Sequence, residues 1–303
     1  MQIQFNGMTL PFPGMVMGEL REANPLLGDR VAIRQRLAED GYLLVRNLIS
    51  AEVVQGARRV ILEEMQAAGL LQPGVPLNDG RVKPGGGSPF EERSLHHPDV
   101  LDVIDAPALR KFFSDLLEER IRPLDLRIIR RVPAGPSTGI HYDNVYMGRG
   151  AAEVFTCWIP LGDIPVEQGP LAICAGSNSL AGFAKLRQTY GQHDVDRDRI
   201  LGVQGAFSGW LSFDLAEISN QFGGCWQTTH FHAGDVIIFT MFTLHCGLDN
   251  TTDRFRISAG WARIQPAIMR PICCTKGKSS RWAALRMPAD VGACNPDSFT
   301  DHH

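Results

Sequence analysis

The segment Gly139-Ile140-His141-Tyr142-Asp143-Asn144 sets an imidazole and a carboxylate two positions apart. On a strand, positions i and i+2 project to the same face, so both side chains can reach one ion. Two side chains do not complete a metal site. A third ligand must come from elsewhere, and His245 closes the apolar run VIIFTMFTLH just ahead of a turn. Two imidazoles and one carboxylate on one face of an iron leave several coordination positions open. Catalytic zinc sites also keep three protein ligands, so the triad by itself does not name the metal. Taken alone, His-x-Asp equally fits a strand-end histidine hydrogen-bonded to a nearby acid.

Downstream of His245 the run Arg254-Phe255-Arg256-Ile257-Ser258-Ala259-Gly260-Trp261 alternates cleanly. Phe255, Ile257, Ala259 and Trp261 share one face; Arg254, Arg256, Ser258 and Gly260 share the other. A guanidinium fork beside a hydroxyl can bind a carboxylate. An arginine inside a β-core is costly without an anion, and a bound dicarboxylate would supply one. A salt bridge at the rim is the other reading, and it suits Arg254 better than Arg256, which is farther from the turn. A rival metal pair, His230-Phe231-His232, lacks a downstream carboxylate at suitable spacing, and Gly234-Asp235 reads as a turn. His96 and His97 are adjacent and diverge if extended; His302 and His303 are terminal.

The elements that must position these groups can be read from periodicity. Residues 29–40 read as a helix ending at Gly41, and Tyr42 to Asn47 as a short strand. Ser50 is placed to cap a helix in which Val54, Ala57, Ile61 and Met65 form one apolar stripe. Residues 72–92 are rich in Gly and Pro and predict a long loop, a lid if ordered. Pro107 suits a helix first turn, followed by a buried face of Leu109, Phe112, Phe113, Leu116 and Leu117. From Leu124 onward the pattern turns to strands at 125–132, 153–159, 170–174, 226–232, 235–245 and 254–264. Residues 180–224 read as a long insertion or lid, and 267–303 as a tail. The expectation is one domain over 1–303 with its core at about 29–266. Its class is α+β: an all-β core, a double-stranded β-helix (jelly-roll, cupin-like) barrel, with N-terminal helices packed on one face.

Composition narrows the function classes. The 303 residues are 44% hydrophobic with a formal charge of -3, so a sizeable core is available. Acidic and basic residues nearly balance without a basic stripe, which argues against a nucleic-acid partner. No run of about 18 apolar residues predicts a membrane span, and the N-terminus does not read as a secretory signal. Seven cysteines without CxxC spacing point to a reduced, cytoplasmic protein with buried thiols rather than a disulfide framework or zinc ribbon.

Several blocks in order carry a resemblance. They are DGYLLVRNLI at 40–49, His141-x-Asp143, WIPLGDIPVEQGPL at 158–171, Gly176-Ser177-Asn178, AGDVIIF at 233–239, His245, and Arg256-Ile257-Ser258. Spread over residues 38–264, they resemble the phytanoyl-CoA dioxygenase (PhyH)-like family of Fe(II)/2-oxoglutarate-dependent oxygenases. The resemblance implies Fe(II) held by His141, Asp143 and His245. It implies 2-oxoglutarate gripped at its distal carboxylate by Arg256 and Ser258, with Trp158 lining that pocket, and O2 as the oxidant. The implied reaction is hydroxylation of a C–H bond in a small metabolite, with release of succinate and CO2 and no acid-base side chain. Desaturation, cyclisation or epimerisation would use the same apparatus. A non-catalytic barrel binding 2-oxoglutarate or another small acid is the rival from a different class, and the intact triad argues against it. Many relatives carry a small hydroxylated residue just after the distal histidine, where this chain reads Cys246-Gly247. Related halogenases replace the carboxylate that Asp143 retains, so halogenation is disfavoured. Expected substrate-facing residues are Tyr142, Asn144, Arg131, Trp210 and Phe213.

Overall fold

The computed structural model describes residues 1–85, 93–118, 121–123, 127–136, 138–148, 154–200 and 208–266. The expected tail at 267–303 and residues 86–92 of the expected loop lie outside the described residues. The strands are β1 (Gln2–Phe5), β2 (Met8–Pro11), β3 (Met17–Glu19), β4 (Tyr42–Val45), β5 (Ile121–Pro123), β6 (Arg127–Val132), β7 (Phe155–Pro160), β8 (Leu171–Ala175), β9 (Cys225–Thr228), β10 (Val236–Thr240), β11 (His245–Gly247) and β12 (Arg256–Pro266). The helices are α1 (Arg30–Asp40), α2 (Ala51–Ala67), α3 (Pro98–Ile104), α4 (Pro107–Leu117), α5 (Asn144–Met147), α6 (Ala184–Gln188), α7 (Val195–Ile200) and α8 (Leu215–Phe222).

A major sheet runs β4-β10-β7-β12, with β5 and β6 both pairing the outer edge of β12, and a minor sheet runs β11-β8-β9-β3. β1 and β2 form a separate hairpin. Strand alternation sorts the side chains into three cores. Leu43, Val45, Cys157, Ile159, Val236, Ile238, Ile257 and Ala259 leave the major sheet on its outer face, against α1 to α4. Tyr42, Leu44, Trp158, Ile237 and Phe239 leave it on the inner face, where they meet Leu171 and Ile173 of the minor sheet. Ala172, Cys174, Trp226 and Cys246 leave the minor sheet on its far side, under the N-terminal hairpin and the 180–224 segment. The expected α+β jelly roll with helices on one face is therefore present, as two facing sheets and not a closed barrel. Cys157, Cys174 and Cys246 are free and buried. Cys225 is disulfide-bonded, which corrects the expectation of reduced thiols at that position. Among the described residues no helix is long and apolar enough to cross a membrane.

Most local readings carry through with informative exceptions. Asp29 accepts a hydrogen bond from the Ala32 amide at 3.0 Å and caps α1. Gly41 ends it at φ +80°, where a β-carbon would also collide with Asn178 and Thr243. Ser50 occupies the cap position of α2, yet its side chain makes no capping bond. The single strand expected at 235–245 is two strands in different sheets. Thr243 turns back on Thr240 and donates its hydroxyl to the Gly41 carbonyl, carrying the chain from one sheet to the other. Both strands are buried on both faces, so hydropathy shows one continuous run. The 180–224 segment is no simple lid: Phe183, Leu186, Leu215 and Ile218 are core residues on the minor sheet. Of the 72–92 loop, the described part lies along α2, with Arg58 donating to the Asn78 carbonyl.

One buried ion pair ties the start of β10 to the end of β4. Asp235, 1% exposed, accepts from Arg46 at 2.6 Å and from the His232 and Asn47 amides at 2.8 and 3.2 Å. Removing the carboxylate would strand the two amides and take one partner from Arg46, which keeps Glu22, the His230 carbonyl and Thr229. Asp235→Ala is expected to lower unfolding stability by about 2–4 kcal/mol. A denaturant titration showing a loss below about 1 kcal/mol would refute that role.

Candidate metal centre

Tyr142 shows how the metal loop is built. Its ring is fully buried in the outer core against Tyr190 and Phe242, and its hydroxyl donates to the Ser177 carbonyl at 3.3 Å. With Tyr142 anchored outward, His141 and Asp143 on either side face inward. The expected strand geometry holds only at His141, which exchanges two backbone hydrogen bonds with His245 at 3.0 and 3.1 Å. Asp143 has already turned helical, as the cap of α5, with φ -63° and ψ -24°.

On the other side, Gly176-Ser177-Asn178 fixes the residue before His245. Ser177 donates its hydroxyl to the Cys174 carbonyl at 2.6 Å and accepts the Leu244 amide at 2.8 Å. His141 and His245 therefore lie side by side, ring centroids 4.2 Å apart. The imidazole Nε2 atoms sit 3.8 and 3.5 Å from Asp143 Oδ1. One atom from each residue falls within 4.8 Å of the others, and this is the one such cluster among the described residues.

The donor chemistry suits a metal. Each histidine Nδ1 faces a backbone carbonyl, Gly139 at 2.7 Å and Thr243 at 3.0 Å, so the proton resides there and Nε2 presents its lone pair. Burial first, then the neighbouring His245, lowers the His141 pKa to about 3, so the ring is neutral. Thr156 donates its hydroxyl to Asp143 Oδ2 and leaves Oδ1 toward the histidines. Two ligands at about 2.1 Å from one ion at right angles stand roughly 3 Å apart. The observed spacing is close to that, and the residues fit the group.

The same cavity holds Arg256, Trp158, Phe239, Leu171, Gly260, Arg130 and Thr138. Arg256, 2% exposed, donates to the Gly169 carbonyl. Burial first, then Arg130, lowers its pKa to about 9, and a bound anion would offset that desolvation. Gly169 comes close enough because it has no β-carbon: one would lie 2.4 Å from the Leu248 carbonyl oxygen, and φ is +66°. Gln168 donates to the Phe255 carbonyl at 2.9 Å and fixes the start of β12. Ser258 is fully buried, opposite the cavity-lining Arg130 in the register of β12 with β6, and its hydroxyl has no hydrogen-bond partner among the described residues. Trp158 stacks edge-on to Phe231 and lines the wall.

The residues expected to face a substrate lie in different surroundings. Arg131 points to the helical layer, bonded to Glu64 and Ser94 at 3.0 and 2.7 Å; its neighbour Arg130 enters the cavity instead. Tyr142 faces away from the ligands, and Asn144 donates to the Gly191 carbonyl at 2.6 Å. Trp210 and Phe213 are exposed and pack edge to face over Gly139, beside the metal loop. Thr156, Thr138 and Arg130 were not singled out from sequence; strand alternation from Trp158 and Arg131 is the signal that finds Thr156 and Arg130. The rival pair is not assembled. His230 accepts the Val166 amide, while His232 lies exposed near Asp163.

The phytanoyl-CoA dioxygenase (PhyH) family model matches residues 37–258. A 1-deoxypentalenic acid 11-beta-hydroxylase of Streptomyces exfoliatus is 26% identical over 259 residues, covering 81% of this chain and 84% of that protein. Its namesake from Streptomyces arenae is 27% identical over 165 residues, 52% of this chain and 57% of that protein. The crystal structure of the epimerase SnoN from nogalamycin biosynthesis, in complex with Fe3+, alpha ketoglutarate and nogalamycin RO, aligns at TM-score 0.53 and 18% identity. That alignment covers 78% of this chain and 84% of that one and concerns the fold alone. With the family matched across most of its length, the chain belongs to the phytanoyl-CoA dioxygenase family and is an iron- and 2-oxoglutarate-dependent oxygenase.

Proposed function

We propose that the iron is held by His141, Asp143 and His245, that Arg256 and the Ser258 hydroxyl bind the distal carboxylate of 2-oxoglutarate, and that the reaction is hydroxylation of a small molecule. The observation that carries this is the convergence of three ligand atoms, from segments a hundred residues apart, in the cavity that also holds a buried guanidinium. Hydroxylation is preferred over epimerisation or ring closure because the relatives matched by sequence carry that activity in their names.

When bound, iron and 2-oxoglutarate supply oxygen activation. The chain's own residues do the remaining work. Gly139 and Thr243 carbonyls hold the imidazole protons at Nδ1 and so aim both Nε2 atoms. Thr156 keeps Asp143 from rotating away. Arg256 sets the orientation of the dicarboxylate through a fixed fork. Phe239 and Trp158 wall the pocket and exclude water. No side chain has to act as a general base.

His141→Ala is expected to abolish stoichiometric iron binding and 2-oxoglutarate turnover while leaving the circular dichroism spectrum unchanged. Thr156→Val keeps all three ligands and is expected to weaken iron affinity about 10- to 100-fold, the range for loss of a group that orients a ligand. Arg256→Gln should raise the KM for 2-oxoglutarate about tenfold or more, with iron content intact. Iron retained at full stoichiometry by His141→Ala would remove the ligand assignment. The non-catalytic reading wins if iron and 2-oxoglutarate bind yet succinate never accumulates with any metabolite pool.

A further inference from the structure

Trp210 and Phe213 are the only Phe or Trp side chains among the described residues that are left exposed, at 41% and 40%. Large apolar rings at the surface add little to a core, and neither of these lines the metal cavity. What they touch is Gly139. A β-carbon there would lie 2.9 Å from Trp210 Cγ and 3.0 Å from Phe213 Cε1 and Cζ. Ordinary carbon contacts stand about 3.5–4.0 Å apart. Gly139 is not in the left-handed region, so its bare α-carbon serves the close approach of the rings and not a turn.

The same glycine carries the carbonyl that faces His141 Nδ1 at 2.7 Å. The segment bearing the rings is fastened to the metal loop by its backbone. The Leu211 amide donates to the Ile140 carbonyl at 2.7 Å, and the Ile140 amide to the Ser212 carbonyl at 3.0 Å. Beyond His141, Tyr146 donates its hydroxyl to the Ser208 carbonyl, and a β-carbon on Gly209 would lie 2.7 Å from Tyr146 Cζ. The Tyr146 ring in turn stands edge to face with the His141 imidazole, centroids 5.4 Å apart. Residues 208–213 therefore grip the loop on both sides of His141. With the Gly139 α-carbon held under two rings, its carbonyl keeps its place, and so does the imidazole that it orients. We propose that Trp210 and Phe213 are positioning residues for the metal ligand His141, acting through Gly139, so that the 180–224 segment sets how tightly the metal is held. This inference rests on His141 being a ligand, as proposed above.

The test titrates the metal-free full chain with Co(II) against a competing chelator, and the visible absorption of the bound ion reports its ligand geometry. The double variant Trp210→Ala, Phe213→Ala is expected to bind Co(II) about tenfold or more weakly, the range for loss of a group that orients a ligand, with altered absorption bands. Gly139→Ala, which drives a methyl group into the rings, should do the same in the parent and cost nothing further in the double variant. Trp210→Phe should keep most of the parent affinity. The urea midpoint of the metal-free double variant should match that of the parent, because the rings are exposed. The proposal is overturned if the double variant binds Co(II) within twofold of the parent with an unchanged spectrum, or if the costs of Gly139→Ala and ring removal simply add. It is also overturned if the loss of affinity is matched by a fall in the metal-free urea midpoint, which would make the rings packing residues only. Failure of the ligand assignment has a separate signature: His141→Ala would bind Co(II) as tightly as the parent, with the parent spectrum, and this inference would fall with it.

Discussion

A reciprocal pair of backbone hydrogen bonds, His141 to His245 and back, is the constraint on which the site depends. The two residues are a hundred positions apart, and no side chain contact alone could hold two imidazoles at a fixed separation. An antiparallel bridge does so with main-chain precision, because residues directly opposite one another present their side chains on the same face. Everything adjacent is arranged to keep that bridge in register. Ser177 holds Leu244 on one side, Tyr142 is buried on the other, and a further bridge from Ile140 to Ser212 ties the metal loop to the insertion. The insertion thereby serves the site indirectly, as a support under the loop.

This division explains how much could be read from sequence. Arg256 was legible because β12 alternates strictly, with Phe255, Ile257 and Ala259 packed against the helices, so the arginine had to face inward. His141 and Asp143 were legible as a pair, although for a partly mistaken reason: Asp143 points inward from the cap of a short helix. The expected inward face of Arg131 is off by one position: Arg131 bonds Glu64 and Ser94 on the helical side, and Arg130 lines the cavity. Both are arginines, and a single-residue phase error on a strand exchanges the two faces. Anchoring the phase on Ile129, which is buried against the helices, resolves it.

The break at 241–244 was hidden for a different reason. Hydropathy reports burial, and a chain passing between two buried strands stays apolar through the turn. The polar signal that does exist is Thr240 and Thr243, whose hydroxyls meet at 2.8 Å, with Thr243 also bonded to the Gly41 carbonyl. That contact also explains the DGYLLV block. Gly41 must lack a side chain so that the turn leading to His245 can sit against the end of α1. A glycine at a helix end, read from sequence only as a stop signal, is thus also part of the scaffold of the metal centre.

The motif Gln168-Gly169 shows the same coupling beside Arg256. Gln168 spends its amide on the Phe255 carbonyl, and the Gly169 carbonyl accepts from Arg256, so one short turn fixes both the backbone and the side chain of the start of β12. A guanidinium in a buried site is poorly solvated and would otherwise swing toward water or a rim carboxylate. Holding it through the Gly169 carbonyl orients the fork within the cavity. On the reading proposed above, a dicarboxylate bound there would offset the desolvation that burial imposes on Arg256, so that loading the site would also stabilise the fold.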